Sequence, residues 1–286
     1  MTITAIFRPC HPSAMILPKL KEGTEEVIEK FLAEKLRKVG AEGYVLGVSG
    51  GIDSAVVLRL CARAVGKDKV LALFIPEKDS PKSDLEDAKM LCAKEGVKLR
   101  IIDMTDIIEE FKDAVGGKVD RKSLANVKAR CRMTVLYHFA NAERRLVAGT
   151  SNKTEMLIGY FTKFGDGGAD LEPIGDLYKT EVRQLAKVMG VPAKIIKKVP
   201  TAGLWKGQTD EGEMGISYDR LDAILMGIEL GLGEKDIADR ADTKVKEVRR
   251  ISGMIRLSSH KRKPPPAAKL GLRTPGLDWR EGDEDI

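Results

Sequence analysis

Between residues 44 and 148 four short apolar runs alternate with helical stretches, and this alternation constrains the fold more than any other feature of the chain. The runs cover 44–48, 70–75, 98–102 and 145–148, and the spacing between them predicts helices over 54–65, 84–94, 105–115 and 124–142. Strands that are apolar throughout, rather than at every second residue, belong in a parallel sheet covered on both faces. The right-handed crossover rule then leaves only variants of a doubly wound α/β sheet. A helix over 24–39 precedes the sheet, with Val27, Phe31, Leu32, Leu36 and Val39 at helical spacing. Thr24 suits its N-cap and Gly40 its C-terminal stop. Beyond Ser151 the chain turns loop-rich and then helical, with helices predicted over 180–189, 217–230, 234–240 and 243–257.

The first strand meets its helix at Gly47-Val48-Ser49-Gly50-Gly51-Ile52-Asp53-Ser54. The carboxyl end of a central strand is the usual ligand crevice of such sheets. Glycines at 47, 50 and 51 let the backbone approach a ligand, and the freed N–H groups with the following helix N-terminus form an anion hole. Ser49 and Ser54 add hydroxyl donors. Asp53 sets a carboxylate beside the expected phosphates, which requires a cation such as Mg²⁺ between them. The loop is neither a Walker A sequence nor G-x-G-x-x-G.

Composition narrows the remaining choices. No stretch approaches the ~18 apolar residues that span a bilayer, and residues 1–20 lack the apolar core of a signal peptide, so neither a membrane partner nor export is expected. Cys10, Cys61, Cys92 and Cys131 stand far apart, which argues against a zinc or redox motif and for reduced thiols in a cytoplasmic protein. A net charge of +6 is compatible with nucleic acid or with a polyanionic nucleotide. Much of the positive charge falls on ordinary helix faces beside acids, so no nucleic-acid partner is expected. Prolines 9, 12 and 18 make regular structure before residue 20 doubtful, and a triple proline with an acidic end over 281–285 reads as a tail.

The loop resembles the S-G-G-x-D-S loop of N-type ATP pyrophosphatases, which cleave ATP between its α and β phosphates. Further segments follow in order: Gly149-Thr150-Ser151-Asn152-Lys153-Thr154-Glu155, then Gly159 to Asp170, Pro173 to Thr180 and Pro200 to Trp205. With Asn126 to Arg132, these resemble the ammonia-dependent NAD synthetases over about residues 24–263. The resemblance implies an adenine nucleotide alpha hydrolase-like sheet of about five strands with a helical C-terminal part. It implies one domain over 21–263, an extension of unassigned role over 1–20, and a tail over 264–286.

The activity implied is amidation of deamido-NAD by ammonia, with ATP as co-substrate, through an adenylated carboxylate and with release of AMP and pyrophosphate. Gly47, Val48, Ser49, Gly50, Gly51, Ile52, Asp53, Ser54, Thr150, Lys179 and Thr201 would contact ATP. Asp53 and Glu155 would hold Mg²⁺, and hard oxygen ligands suit that ion. Arg130, Lys163, Asp170, His260 and Lys261 would contact deamido-NAD. Asp53, Lys179 and Asp166 would carry catalysis, Lys179 by following charge on the leaving pyrophosphate and Asp166 by binding ammonium and helping to remove its proton.

Each residue also has a plainer reading. Glu155 alone is a helix surface acid, Lys179 a surface lysine at a helix start, and Thr150 and Thr201 are caps. Lys128, Arg130 and Arg132 would be a basic solvated face, and His260-Lys261-Arg262 a cationic helix end. No extra segment offers a catalytic cysteine for glutamine hydrolysis, so free ammonia or a separate protein is expected to supply the nitrogen. The family is dimeric, and the apolar helix over 127–139 could lie in a homodimer interface or in the core. The alternative enzyme is another adenylating pyrophosphatase, such as a tRNA-modifying one. A non-catalytic binding module would rest on the basic residues 244–263.

Overall fold

The structure is a computed structural model, and it describes residues 15–274 apart from Lys118 and Lys206. Cys10 and the acidic end over 281–285 lie outside the described residues. Among the described residues four parallel strands are present: β1 (Gly43–Gly47), β2 (Val70–Phe74), β3 (Lys98–Ile101) and β4 (Arg145–Val147), in the spatial order β3-β2-β1-β4. Tyr44 stands opposite Val70 on one side and Leu146 on the other. The chain winds outward from β1 to β3 and then returns to the opposite side for β4. The switch point therefore falls between β1 and β4, where a doubly wound sheet opens its crevice.

About five strands were expected, and the fifth is reduced to a single parallel bridge between Ala148 and Leu171. Side chains do half of what that strand would do. Asp170 Oδ2 accepts from Val147 N at 2.7 Å, and Glu172 Oε2 accepts from Ser151 N at 3.0 Å. The backbone contributes two bonds there, from Gly149 N to Leu171 O at 2.9 Å and from Asp170 N to Val147 O at 3.0 Å. Pro173 then has no N–H with which to continue a ladder.

The strands are buried on both faces, as their continuous apolar character requires. Tyr44, Leu46, Ala72 and Phe74 point toward α1 (Thr24–Val39), α2 (Ile52–Val65), α3 (Lys82–Glu95) and α7 (Lys179–Val188). Val45, Leu71, Leu73 and Val147 point to the other face, against α4 (Thr105–Val115) and α5 (Arg121–Ala142). In α1 the N-cap is Gly23, at φ 77°, so Thr24 is the first helical residue and its hydroxyl donates to Lys21 O. Gly40 ends the helix at φ 66°, as expected. Of the five apolar residues at helical spacing, Leu32 and Leu36 are buried, whereas Val27, Phe31 and Val39 stay exposed. The stripe against α2 is narrower than the pattern suggests.

The C-terminal half builds a second apolar cluster from α6 (Lys153–Ile158), α9 (Asp210–Met214), α10 (Tyr218–Glu229), α11 (Glu234–Arg240) and α12 (Val245–Leu257), with α8 (Ala193–Ile196) packed on the sheet side. Residues 15–20 have no regular structure, yet they are fastened. Met15 and Leu17 pack on the second cluster and Leu20 on the first, while Gln184 holds both Pro18 O and Leu20 N.

One buried carboxylate joins the halves. Asp222 of α10 is fully buried, accepting from Thr154 Oγ1 at 2.5 Å and from Thr180 N at 2.8 Å. It thus fixes the starts of α6 and α7 against α10. Asp222→Ala strands both donors in a dry interior, and should lower unfolding free energy by about 2–4 kcal/mol in urea titrations.

Candidate active site

The loop after β1 turns sharply because Gly50 takes φ 75°, and a Cβ there would lie 2.7 Å from Asp84 O. No other residue fits that turn without moving α3. Ser54 Oγ, one turn into α2, accepts from Ser49 N at 3.2 Å and donates to Gly51 O at 3.1 Å, so the hydroxyl shapes the loop as well as facing it. Lys198 closes the outer side, donating to Gly50 O at 3.1 Å and pairing with Asp84 and Asp87 at 2.8 Å each.

Beyond the loop lies a cleft of about 560 Å³ lined by residues from both halves of the chain. Gly47, Val48, Ser49, Gly51, Ile52, Asp53, Ser54, Thr150, Glu155, Asp166, Lys179, Thr201 and Lys261 all reach it. Gly50 is the one loop residue that does not, since its role is the turn itself.

At the cleft's base Lys179, the first residue of α7, is 2 % exposed rather than a surface lysine. Its Nζ lies 2.5 Å from Asp53 Oδ2 and 3.2 Å from Glu155 Oε1, over the face of the Tyr218 ring. Burial disfavours its charge, but Asp53 and Glu155 outweigh this and hold its pKa above the ordinary lysine value. Glu155 shows the reverse: burial raises its carboxyl, Lys179 opposes the rise, and Asp53 and Asp210 add to it. Asn152 fixes Asp53 Oδ1 at 3.0 Å, and a capping box between Asn152 and Glu155 places the latter at the start of α6. Tyr218 OH bonds Glu155 and Asp210 at 3.2 and 3.0 Å.

No three acidic, histidine or cysteine side chains among the described residues form a metal cage. Two convergent carboxylates are nonetheless what Mg²⁺ asks of a protein when phosphates and waters complete its octahedron, so Asp53 and Glu155 fit that ion.

Asp166 opens to the cleft and accepts from Thr162 N at 2.9 Å, and the chain packed around it raises its carboxyl by desolvation. Thr201 Oγ1 accepts from Gly203 N at 3.1 Å, a local turn bond that leaves the residue at the cleft rim. The residues expected on the dinucleotide divide. Lys261 lines the cleft, with its Nζ donating to Gly159 O and Phe161 O at 2.7 Å each. Arg130 Nη2 reaches Lys163 O at 3.3 Å and Lys163 Nζ reaches His260 O at 2.8 Å, forming a chain on the surface beside the cleft. Asp170 caps the sheet edge and accepts from Tyr137 OH at 3.0 Å.

The basic helix face is not solvated throughout. Ala125, Lys128, Ala129 and Arg132 follow the i, i+3, i+4, i+7 spacing of a buried stripe, with Arg130 outside it. Lys128 Nζ pairs with Glu77 at 2.5 Å and donates to Leu204 O, and Arg132 donates to Ile75 O while lining the cleft. That spacing was the available signal for both. Lys198, Asp210 and Tyr218 carry no such signal, because their partners are distant in the sequence.

Glu172 gives the region a pH signature. Desolvation pushes its carboxyl up from 4.5 to about 8, with Glu155 and Asp166 adding to the rise and Ser151 N opposing it. Between those values the folded protein binds a proton that the unfolded chain does not. Stability should therefore fall as pH rises from about 4.5 to 8, by up to ~1.4 kcal/mol per pH unit for this group. Thermal midpoints of metal-free protein should show the decline, and Glu172→Gln should flatten it.

Residues 24–265 match the family model for NAD synthase. The chain is 47 % identical to the NH3-dependent NAD+ synthetase of Thermococcus kodakarensis, over 84 % of this chain and 94 % of that one. Among solved structures it resembles an NMN synthetase from Francisella tularensis, with TM-score 0.78 and 34 % identity over 87 % of this chain and 98 % of that one. It also resembles the NH3-dependent NAD synthetase of Campylobacter jejuni, with TM-score 0.74 and 33 % identity over the same shares.

Proposed function

The chain belongs to the NAD synthase family, and on that premise we propose how its own residues carry out the family's reaction. The protein is an ammonia-dependent carbon–nitrogen ligase. It converts deamido-NAD to NAD with ATP as co-substrate, through an adenylated carboxylate, releasing AMP and pyrophosphate. The observation that carries the assignment of roles is Lys179, a buried cation held between Asp53 and Glu155 at the foot of a phosphate-sized loop.

The N–H groups and hydroxyls of residues 47–54 bind the phosphates of ATP, and Thr150 and Thr201 line the same cleft. Asp53 and Glu155 would hold Mg²⁺, which when bound would neutralise charge on the phosphate oxygens. Lys179 then exchanges part of its pairing with those carboxylates for the leaving pyrophosphate, a charge-assisted contact that strengthens as negative charge accumulates. Asp53, Glu155 and the Tyr218 ring hold Lys179 at the floor of the cleft before that exchange, so its position is set before ATP binds.

Deamido-NAD enters beside α5, with Lys261 in the cleft and Arg130, Lys163, Asp170 and His260 contacting its outer parts. Asp166 faces the acyl position from the glycine loop. Its raised pKa suits a carboxyl that binds ammonium and takes up the proton, since only neutral ammonia attacks the adenylate. We take residues 21–263 as one domain and place the enzyme in the cytoplasm as a homodimer. The half-buried apolar residues along α5, and Ile107, Phe111 and Val115 exposed on α4, support a partner on that face.

A second reading has one specific observation behind it, the likeness to an NMN synthetase. That reading makes the mononucleotide acid the acceptor. Incubation with ATP, Mg²⁺ and ammonium should give NAD, AMP and pyrophosphate from deamido-NAD, with kcat/KM at least about tenfold above that for the mononucleotide. Formation of ADP instead, or a preference for the mononucleotide, overturns the assignment. Asp53→Ala should lower adenylation by about 10³-fold or more, measured as deamido-NAD-dependent pyrophosphate release, and near-normal turnover would remove Asp53 from the site.

A further inference from the structure

The catalytic cleft occupies the carboxyl ends of the strands, and their amino ends hold a second, smaller one of about 270 Å³. Lys67, Lys98, Arg100 and Arg145 line it together with Asp68 and Glu143, so four cations face two carboxylates. Arg145 opens β4 and reaches across β1 above Gly43. A Cβ at residue 43 would lie 2.6 Å from Arg145 Nη1 and 2.0 Å from Lys69 O, so the crossing depends on glycine there. Arg100 comes from the opposite edge, on β3, with its guanidinium 5.0 Å from the Phe139 ring centre.

The two arginines meet on one carboxylate. Arg145 Nε donates to Glu143 Oε2 at 3.0 Å, and Arg100 Nη2 lies 3.0 Å from Oε1. Both oxygens of Glu143 are thereby engaged, yet Arg145 Nη1 is buried with no hydrogen-bond partner. An enclosed guanidinium N–H without an acceptor is costly, and native interiors rarely leave one so. Lys67 and Lys98 form no ion pair with a described residue, although their stems wall the same cleft.

We propose that this amino-end cleft is a binding site for a small phosphorylated anion. An anion there would lie between the two lysines and beside Arg100 and Arg145, where guanidinium and ammonium bind phosphate oxygens with charge assistance. Size restricts the ligand: pockets for drug-sized molecules start near ~300 Å³, so this cleft suits inorganic phosphate or a small organic monophosphate rather than a nucleotide. It is separate from the ATP site, because the 5 residues of β1 set the two ends of the sheet about 15 Å apart.

Isothermal titration of the full-length enzyme with inorganic phosphate, the catalytic cleft being saturated with ATP and Mg²⁺, tests the assignment. One phosphate should bind. Lys67→Ala with Lys98→Ala should weaken it by about tenfold or more without changing NAD formation measured in phosphate-free buffer. Glu143→Gln, which removes the competing carboxylate, should tighten it severalfold, an effect of sign that a purely structural cluster would not produce. A parallel titration with ribose 5-phosphate distinguishes an organic ligand, which would bind more tightly than phosphate, from the inorganic ion. Arg145→Gln should weaken phosphate binding if the variant folds, and the lysine pair decides the matter if it does not. Absence of phosphate binding at millimolar concentration, or binding indifferent to the lysine substitutions, overturns the proposal.

Discussion

A single ammonium group organises this molecule's chemistry. Lys179 Nζ sits in an interior where an unpaired charge would not persist, so Asp53 and Glu155 must both be near it. Those two residues begin α2 and α6, and Lys179 begins α7, so the ion cluster pins three helix starts to one point. Tyr218 of α10 completes the cluster through its ring and its hydroxyl. The sheet half and the helical half are thus registered to each other at the foot of the cleft at the strands' carboxyl ends. A buried pair is weak evidence of stability. Here it fixes geometry, and ligand binding would replace one set of its contacts with another.

The architecture was readable because its constraints are local. Glycine at residue 50 is imposed by a positive φ and by the backbone of Asp84, and a reader of the sequence meets it as part of the S-G-G-x-D-S loop. Strands buried on both faces announce themselves by continuous apolar runs. The fifth strand was overestimated because side-chain carboxylates from Asp170 and Glu172 take up donors that a backbone ladder would otherwise need, and no periodicity reports such an exchange. Thr24 looked like a cap on residue type alone, but a left-handed Gly23 already ends the preceding turn.

Within the site, legibility followed the same rule. The loop residues, Glu155 and Lys179 were found through contiguous motifs, whereas the depth of Lys179 was not, since a helix-start lysine is ordinarily solvated. Lys128 and Arg132 were misplaced on a solvated face although their spacing with Ala125 and Ala129 marks an inward stripe. Their neighbour Arg130 does point outward, and the alternating basic pattern hid the division. Asp210, Tyr218 and Lys198 become site residues only when loops far apart in the chain close around the cleft. The amino-end cluster was invisible for the same reason: Arg100 and Arg145 come from opposite sides of the sheet and meet on Glu143.

The substitution of side chains for a fifth strand also bears on how the protein behaves in a crowded solution. Beyond β4, successive outward donors at Val147, Gly149 and Ser151 are taken by Asp170, Leu171 and Glu172. A sheet margin with its donors unspent invites strand addition by another chain, the route to edge-to-edge aggregation. This margin offers no such row, and it carries two acids where an incoming strand would lie. The border that lies nearest the larger cleft is therefore closed to its own kind, while the opening beside it stays clear.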